Sequence, residues 1–367
     1  MSRLAKSLLA GIVLIGILAA VGVGALLVVS RGAPVDFLQT TAARLRIASR
    51  QDDLNRPISS DTTPVRFTIE PGDTPRGIAQ KLAGESLIVD PELFVDYVRV
   101  SDMDVELEAG TYFLQRSQNI PEIAQALTDS RSSQFPFRIL EGWRLEEIAE
   151  VIDDNPYFGF SGADFLRVVG PGAPQDADFA ELVGLPPGAS LEGFLFPDTY
   201  QLPAVVTPEM LRDILTQQFI AEIGSDVPRD AAANDLTLFE VVTLASIVQR
   251  EAVREDEHPR IASVYLNRLR DGMKLDADPT VQYGIGFDGD TWWPQITQAD
   301  YTDAVHPYNT YLNTGLPPGP IANPGIAAIR AVVNPEETPY FYFRARCDGS
   351  GYHNFAVTFE EQVANAC

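Results

Sequence analysis

Residues Leu8 to Val29 are built only from Leu, Ala, Gly, Ile and Val, with Arg3, Lys6 and Arg31 framing the run. About 20 apolar residues in a helix cross the hydrocarbon core of a bilayer, and this run is long enough. Cleaved signal peptides carry a shorter apolar region of roughly 7–15 residues, and a buried core helix does not sit at an extreme terminus between charges. The run therefore reads as an uncleaved transmembrane anchor over 8–29, behind a cytoplasmic tail of 1–7. Positive residues do not orient it, because Arg3 and Lys6 are balanced by Arg31, Arg44, Arg46 and Arg50. A short tail ahead of a large soluble part gives an N-in, single-pass arrangement in the cell membrane, with everything beyond it extracytoplasmic.

The 367 residues carry a formal charge of -24, which excludes a nucleic-acid backbone as partner because phosphates need a basic face. The acidity also argues against an extended basic patch for a membrane surface. With 45% hydrophobic and 21% charged residues the chain is globular rather than disordered. Cys347 and Cys367 form a possible disulfide in an exported protein, although spacing alone does not fix the geometry and two free thiols are the alternative. Residues 30–63 read as a linker or loosely helical stalk.

Two segments then match at one constant offset. Phe67-Thr68-Ile69-Glu70-Pro71-Gly72 with Ile78-Ala79 corresponds to Phe137-Arg138-Ile139-Leu140-Glu141-Gly142 with Ile148-Ala149. Each copy alternates as a strand, turns at glycine and enters an amphipathic helix. Residues 64–152 are thus one or two α/β substructures that resemble LysM modules, which bind glycans containing N-acetylglucosamine. Residues 153–207 are rich in Gly, Pro and Asp and read as a connection. Helices follow at Pro208 to Ile223, at Leu238 to Arg254 behind a Thr237/Glu240 capping box, at Pro259 to Arg270, and from Asn323-Pro324 to just before Pro335. Tyr340 to Arg346 and Asn354 to Phe359 read as strands, with a last helix framed by Thr358 and Glu361. The fold class is α+β: a single N-terminal transmembrane helix, a LysM-like α/β subdomain, then a mixed helix-rich domain with short strands over 153–367.

Leu244, Ile247, Val248 and Glu251 fall at i, i+3, i+4 and i+7 and share one helical face. A carboxylate continuing an apolar stripe is held in its neutral form by the cost of burying charge, as a general acid requires. Geometry alone leaves two alternatives: a buried arginine partner for Glu251, or its emergence into water at the helix end. Glu255, one turn further on, is a rival carboxylate.

The surrounding motifs resolve this choice. Leu191-Glu192-Gly193-Phe194-Leu195-Phe196-Pro197-Asp198-Thr199-Tyr200, Leu244-Ala245-Ser246-Ile247-Val248-Gln249-Arg250-Glu251 and Ala262-Ser263-Val264-Tyr265-Leu266-Asn267-Arg268-Leu269 resemble the endolytic murein transglycosylase family, also called YceG-like. So do Asp278-Pro279-Thr280-Val281-Gln282-Tyr283-Gly284, Tyr308-Asn309-Thr310-Tyr311 and the stretch from Gly315 to Gly325. The family usually shows two glutamates spaced by one residue near the end of the catalytic helix. Here the first is Gln249, so the resemblance places the catalytic acid on Glu251. The chain departs from the family pattern at Arg346-Cys347-Asp348.

The resemblance implies a lyase that cuts between N-acetylmuramic acid and N-acetylglucosamine in nascent glycan, without water, leaving 1,6-anhydro ends. It also implies partnership with peptidoglycan synthases. Asn267, Asp278, Thr280, Tyr283, Tyr308, Asn309, Thr310 and Tyr311 are candidate substrate contacts, each with scaffolding as its alternative, and Gly315 to Gly325 is a candidate groove wall. His353 reads as structural or groove-edge. No metal-ligand spacing and no phosphate-cradling loop occurs, so neither metal nor cofactor is expected. The competing functions are a non-catalytic LysM-type peptidoglycan-binding scaffold and a hydrolytic muramidase with a second carboxylate.

Overall fold

The computed structural model describes residues 21–23, 34–130 and 133–366. The predicted span Leu8–Val29 lies outside them except for residues 21–23, which are helical. Among the described residues no single helix is long and apolar enough to cross a membrane. The chain divides into two units, Met1–Gln134 and Phe135–Cys367. The second copy of the repeat therefore lies in the second unit, whereas the sequence reading grouped both copies in 64–152.

The first unit holds α1 (Pro34–Ser49), β1 (Pro64–Ile69), α2 (Pro75–Gly84), α3 (Pro91–Val100), β2 (Gly110–Gln115) and α4 (Ile120–Ala126). The strands pair antiparallel, from Pro64 opposite Gln115 to Ile69 opposite Gly110. Alternation in β1 turns Phe67 and Ile69 inward, onto Ile78, Leu82, Phe94 and Val98 of α2 and α3. Burying each such side chain contributes about 1.5–3 kcal/mol. Local signals start the helices: Thr74 accepts from the Gly77 N–H at 3.2 Å, and Asp90 accepts from the N–H groups of Glu92 and Leu93. The segment read as a linker contains α1, which packs on α3, where Arg46 pairs with buried Asp96 at 2.5 Å.

The second unit opens with β3 (Gln134–Arg138) and α5 (Leu145–Asp153). Gly72 and Gly142 both turn with positive φ, at 94° and 79°, so the two copies share strand, glycine turn and helix. The stretch read as a connection holds α6 (Gly162–Val169), α7 (Ala177–Val183) and β4 (Thr199–Pro203), which pairs with β3. Beyond it come α8 (Pro208–Ile223), α9 (Asp226–Ala233), α10 (Leu238–Glu251), α11 (His258–Arg270), α12 (Asp278–Ile285) and α13 (Ile326–Val333). The antiparallel pair β5 (Tyr342–Ala345) and β6 (His353–Ala356) follows, then α14 (Phe359–Ala364). The architecture is mixed α and β, with many helices and short strands.

Helix α10 is the axis of this unit. Thr237 and Glu240 form the predicted capping box, and every residue from Val241 to Val248 is buried, because α11, α12 and α13 all pack on this helix. It ends at Glu251 rather than Arg254, because Ala252 turns extended at φ -93°, ψ 124°. Glu251 is thereby the last helical residue, and the apolar stripe delivers it to the helix end. Gly193 (φ 89°) presses against Pro320 and α10 so closely that an added Cβ would lie 2.6 Å from the proline ring and 2.7 Å from Val242. That contact fixes the loop before α13 against α10.

Candidate active site

Glu251 lines a groove of about 370 Å³ in the second unit, half-buried at the end of α10. Tyr265, on the face of α11 that meets α10, donates its hydroxyl to Glu251 Oε1 at 2.8 Å. Burial pushes the Glu251 carboxyl up to about 7, and the nearby charge of Asp278 pushes the same way. The Tyr265 hydroxyl and Arg268 oppose this by favouring the ionised form, but desolvation is the largest effect. The result is a carboxyl that exists in both protonation states near neutral pH. Tyr265 itself is buried and raised well above an ordinary phenol, so it remains a proton donor in the bond.

Asp278 opens α12 on the same groove. It accepts from the Tyr311 hydroxyl at 2.7 Å, and Tyr311 stacks on Tyr301 with centroids 4.1 Å apart. Arg268 donates to the carbonyls of Lys274, Leu275 and Phe341 and pairs with Asp276 at 3.1 Å. β5 and α14 add Tyr342, Phe343, Arg344, Phe359 and Gln362 to the lining. Sequence reasoning offered none of these five as a site residue, since nothing in a short terminal strand shows which element it faces. Tyr265 and Arg268 were legible in principle, because both sit on the Ile261, Val264 stripe of α11.

Of the predicted contacts, Asp278 and Tyr311 meet Glu251 in this groove. Asn267 instead commits both amide hydrogens to the backbone, bonding the carbonyls of Thr338 and Tyr340 at 2.9 Å each. Thr280 and Thr310 are buried against each other at 2.9 Å and hold the start of α12, where Thr310 Oγ1 accepts from the Ala277 N–H. Buried Asn309 bonds the carbonyls of Tyr301 and Ala304 and accepts from the Tyr311 N–H, so it places Tyr311. Tyr283 and Tyr308 pack together elsewhere, with centroids 4.7 Å apart, and Tyr283 donates to buried Glu192 at 3.4 Å.

Glu192 is a second buried acid, pushed up to about 8 by burial first and Glu146 second. It accepts from the Leu145 N–H and from Asn323 Nδ2. Asn323 also bonds Trp143 O and receives the Leu195 N–H, knotting three sequence motifs together. The Gly315 to Gly325 loop is thus buried scaffold around Ile321 to Gly325: Ile321 N–H donates to Ser246, and Gly325 N–H to Gln249 Oε1. Its Pro318–Pro320 part lines a separate cavity of about 220 Å³ with Phe239 and Tyr308.

The rival Glu255 sits in a short turn after α10, where its charge acts on Glu141 and His258. His353 is buried and pairs with Glu257 at 2.8 Å. The Cys347 sulfur is engaged in a disulfide, and its predicted partner Cys367 lies outside the described residues. Among the described residues no group of three or more His, Cys, Asp or Glu is arranged to hold a metal ion.

A helix-rich α+β unit with a carboxyl of raised pKa, a buried phenol and stacked tyrosines along one groove has the equipment of a carbohydrate-cleaving enzyme. The chain belongs to the YceG-like family, which it matches over residues 67–367. It is 30% identical over 312 residues to the endolytic murein transglycosylase of Bacillus subtilis (strain 168), covering 81% of this chain and 83% of that protein. It is 28% identical over 304 residues to the endolytic murein transglycosylase of Streptococcus pneumoniae (strain D39), covering 77% of this chain and 54% of that one. The crystal structure of a yceG-like protein from Listeria monocytogenes superposes with a TM-score of 0.53 at 27% identity, covering 83% of this chain and 99% of that chain.

Proposed function

We propose that this protein is an endolytic peptidoglycan lytic transglycosylase, with Glu251 as its single acid and base. The observation that carries the assignment to Glu251 is a carboxyl poised near pH 7 on a tyrosine-lined groove. In the neutral form it donates its proton to the oxygen joining C1 of N-acetylmuramic acid to the next sugar, and that bond breaks. The carboxylate so formed takes the proton of the muramyl C6 hydroxyl, whose oxygen bonds to C1 and closes the 1,6-anhydro ring. One proton is given and one returned, so the acid is regenerated and no water is consumed. The neighbouring Asp278 carboxylate supplies a negative charge, and the tyrosine hydroxyls supply dipoles, around the cationic sugar. Asp278 and Tyr311 are the groove contacts for substrate, with Asn267, Thr280, Asn309 and Thr310 as scaffold.

The first unit, with its strand–helix–helix–strand order, is suited to hold glycan in the manner of a LysM module. The apolar run Leu8–Val29 anchors the chain in the cell membrane with the catalytic unit outside. An internal cut made there ends nascent strands beside the peptidoglycan synthases. Mass spectrometry of digested strands tests the reaction: anhydro ends support it, whereas reducing ends mean a hydrolase and no new ends a binding scaffold. Glu251→Gln is expected to lower cutting by about 10²–10⁴-fold with the fold intact. Near-normal production of anhydro ends by that variant would remove Glu251 from the role.

A further inference from the structure

Glu251, Asp276 and Asp278 line the groove together with two cations, Arg268 and Arg344. Arg268 is fully engaged by Asp276, three backbone carbonyls and the Tyr342 ring, whose centroid lies 5.0 Å from its guanidinium. Arg344, two residues beyond Tyr342 on β5, is exposed and has no carboxylate partner among the described residues. Its neighbours behave otherwise: Arg254 bonds Ser350 O, Arg260 pairs with Glu336, and Arg346 bonds His353 O. An arginine left unpaired on the groove of a protein with a formal charge of -24 is available to an incoming anion.

We infer that Arg344 is a specificity-determining residue that receives a carboxylate carried on the muramyl side arm of the glycan. This rests on the reaction proposed above. The muramyl sugar differs from its neighbour by a lactyl group at O3, which ends in a carboxylate when bare and in an amide when it bears a stem peptide. The stem then supplies carboxylates of its own. The shared chemistry is an anion displaced from the scissile bond, and an unpaired arginine lining the same groove as Glu251 can meet it. It also offsets the repulsion that the Asp278 carboxylate would exert on an anionic strand.

The test compares Arg344→Ala and Arg344→Lys with the full-length wild type, measuring kcat and KM for anhydro-end formation. Three strands are used: stem-bearing glycan, glycan stripped by an amidase to expose the lactyl carboxylate, and stripped glycan with that carboxylate converted to its methylamide. For Arg344→Ala, KM should rise about three- to tenfold on carboxylate-bearing strands with kcat nearly unchanged, while lysine restores part of the loss. The methylamide should be bound equally by wild type and variant. Loss on stem-bearing strands alone assigns the anion to the peptide, and loss on stripped strands assigns it to the lactyl group; both support the inference. Unchanged KM on every strand, or an equal loss on the neutral one, overturns it. Absence of anhydro ends with the wild type would instead count against the proposed reaction.

Discussion

The Tyr265 hydroxyl and Glu251 Oε1, 2.8 Å apart, join the last residue of one buried helix to the middle of the next. The bond occupies one carboxyl oxygen and leaves the other for the substrate. It also stabilises the ionised acid, partly countering the burial that holds the proton on. Geometry and proton affinity are therefore set by the same contact.

Tyr265→Phe separates those two effects. Removing a donor to the carboxylate disfavours its charged form, so the Glu251 pKa should climb above about 7. Because the first step needs the protonated acid, wild-type kcat/KM should fall as pH rises through about 7, and the variant's alkaline limb should lie higher. At pH 7 its rate should still drop by roughly 3–10-fold from lost orientation. A pH–rate profile with an unmoved alkaline limb would show that this bond does not tune the acid.

Glu192 makes stability depend on pH. Its folded pKa, about 8, stands above the ordinary carboxyl value of 4.5. A carboxyl raised in this way keeps more protons folded than unfolded, so its contribution is intact below about 4.5 and declines as pH rises towards about 8. Glu192→Gln cannot ionise, and its melting temperature should change less between pH 5.5 and pH 8 than the wild type's. Thermal unfolding at a series of pH values measures the difference. Parallel curves for the two proteins would mean that Glu192 is not the titrating group.

Asn267 distinguishes a scaffold from a substrate contact. Its amide ties α11 to the Thr338 and Tyr340 carbonyls, so Asn267→Ala should cost about 1–3 kcal/mol of stability. Well below its melting point the variant should keep a wild-type KM. A raised KM in fully folded protein would return Asn267 to the substrate.

Gly193→Ala meets both a left-handed backbone and the Pro320 ring. The expected loss is about 3 kcal/mol or more, read by denaturant unfolding, together with displacement of the loop that packs on α10. A variant as stable as the wild type would mean that the loop is not held by this contact.

How much of this was legible in the sequence varies with the range of the interaction. The capping box at Thr237, the repeat around Gly72 and Gly142, and the stripe ending at Glu251 are local patterns, and the structure contains each of them. The helix end at Glu251 instead of Arg254 was not visible, because a single extended residue, Ala252, decides it. The roles of polar residues were also hidden. Asn267 and Asp278 look equally suited to bind sugar, yet one faces two backbone carbonyls and the other the groove. The division is made by elements more than 70 positions away, Thr338 and Tyr340, which no local window includes.

Tyr342, Phe343, Arg344, Phe359 and Gln362 line the same groove as Glu251. During synthesis the helix that ends at Glu251 emerges first, and the ribosome must add roughly a hundred further residues before all five exist. A nascent chain halted before Tyr342 therefore lacks part of the groove lining, including Phe343, whose ring packs edge-on against Tyr265 at 5.6 Å. The surroundings of the carboxyl are completed only when β5 and α14 have been made.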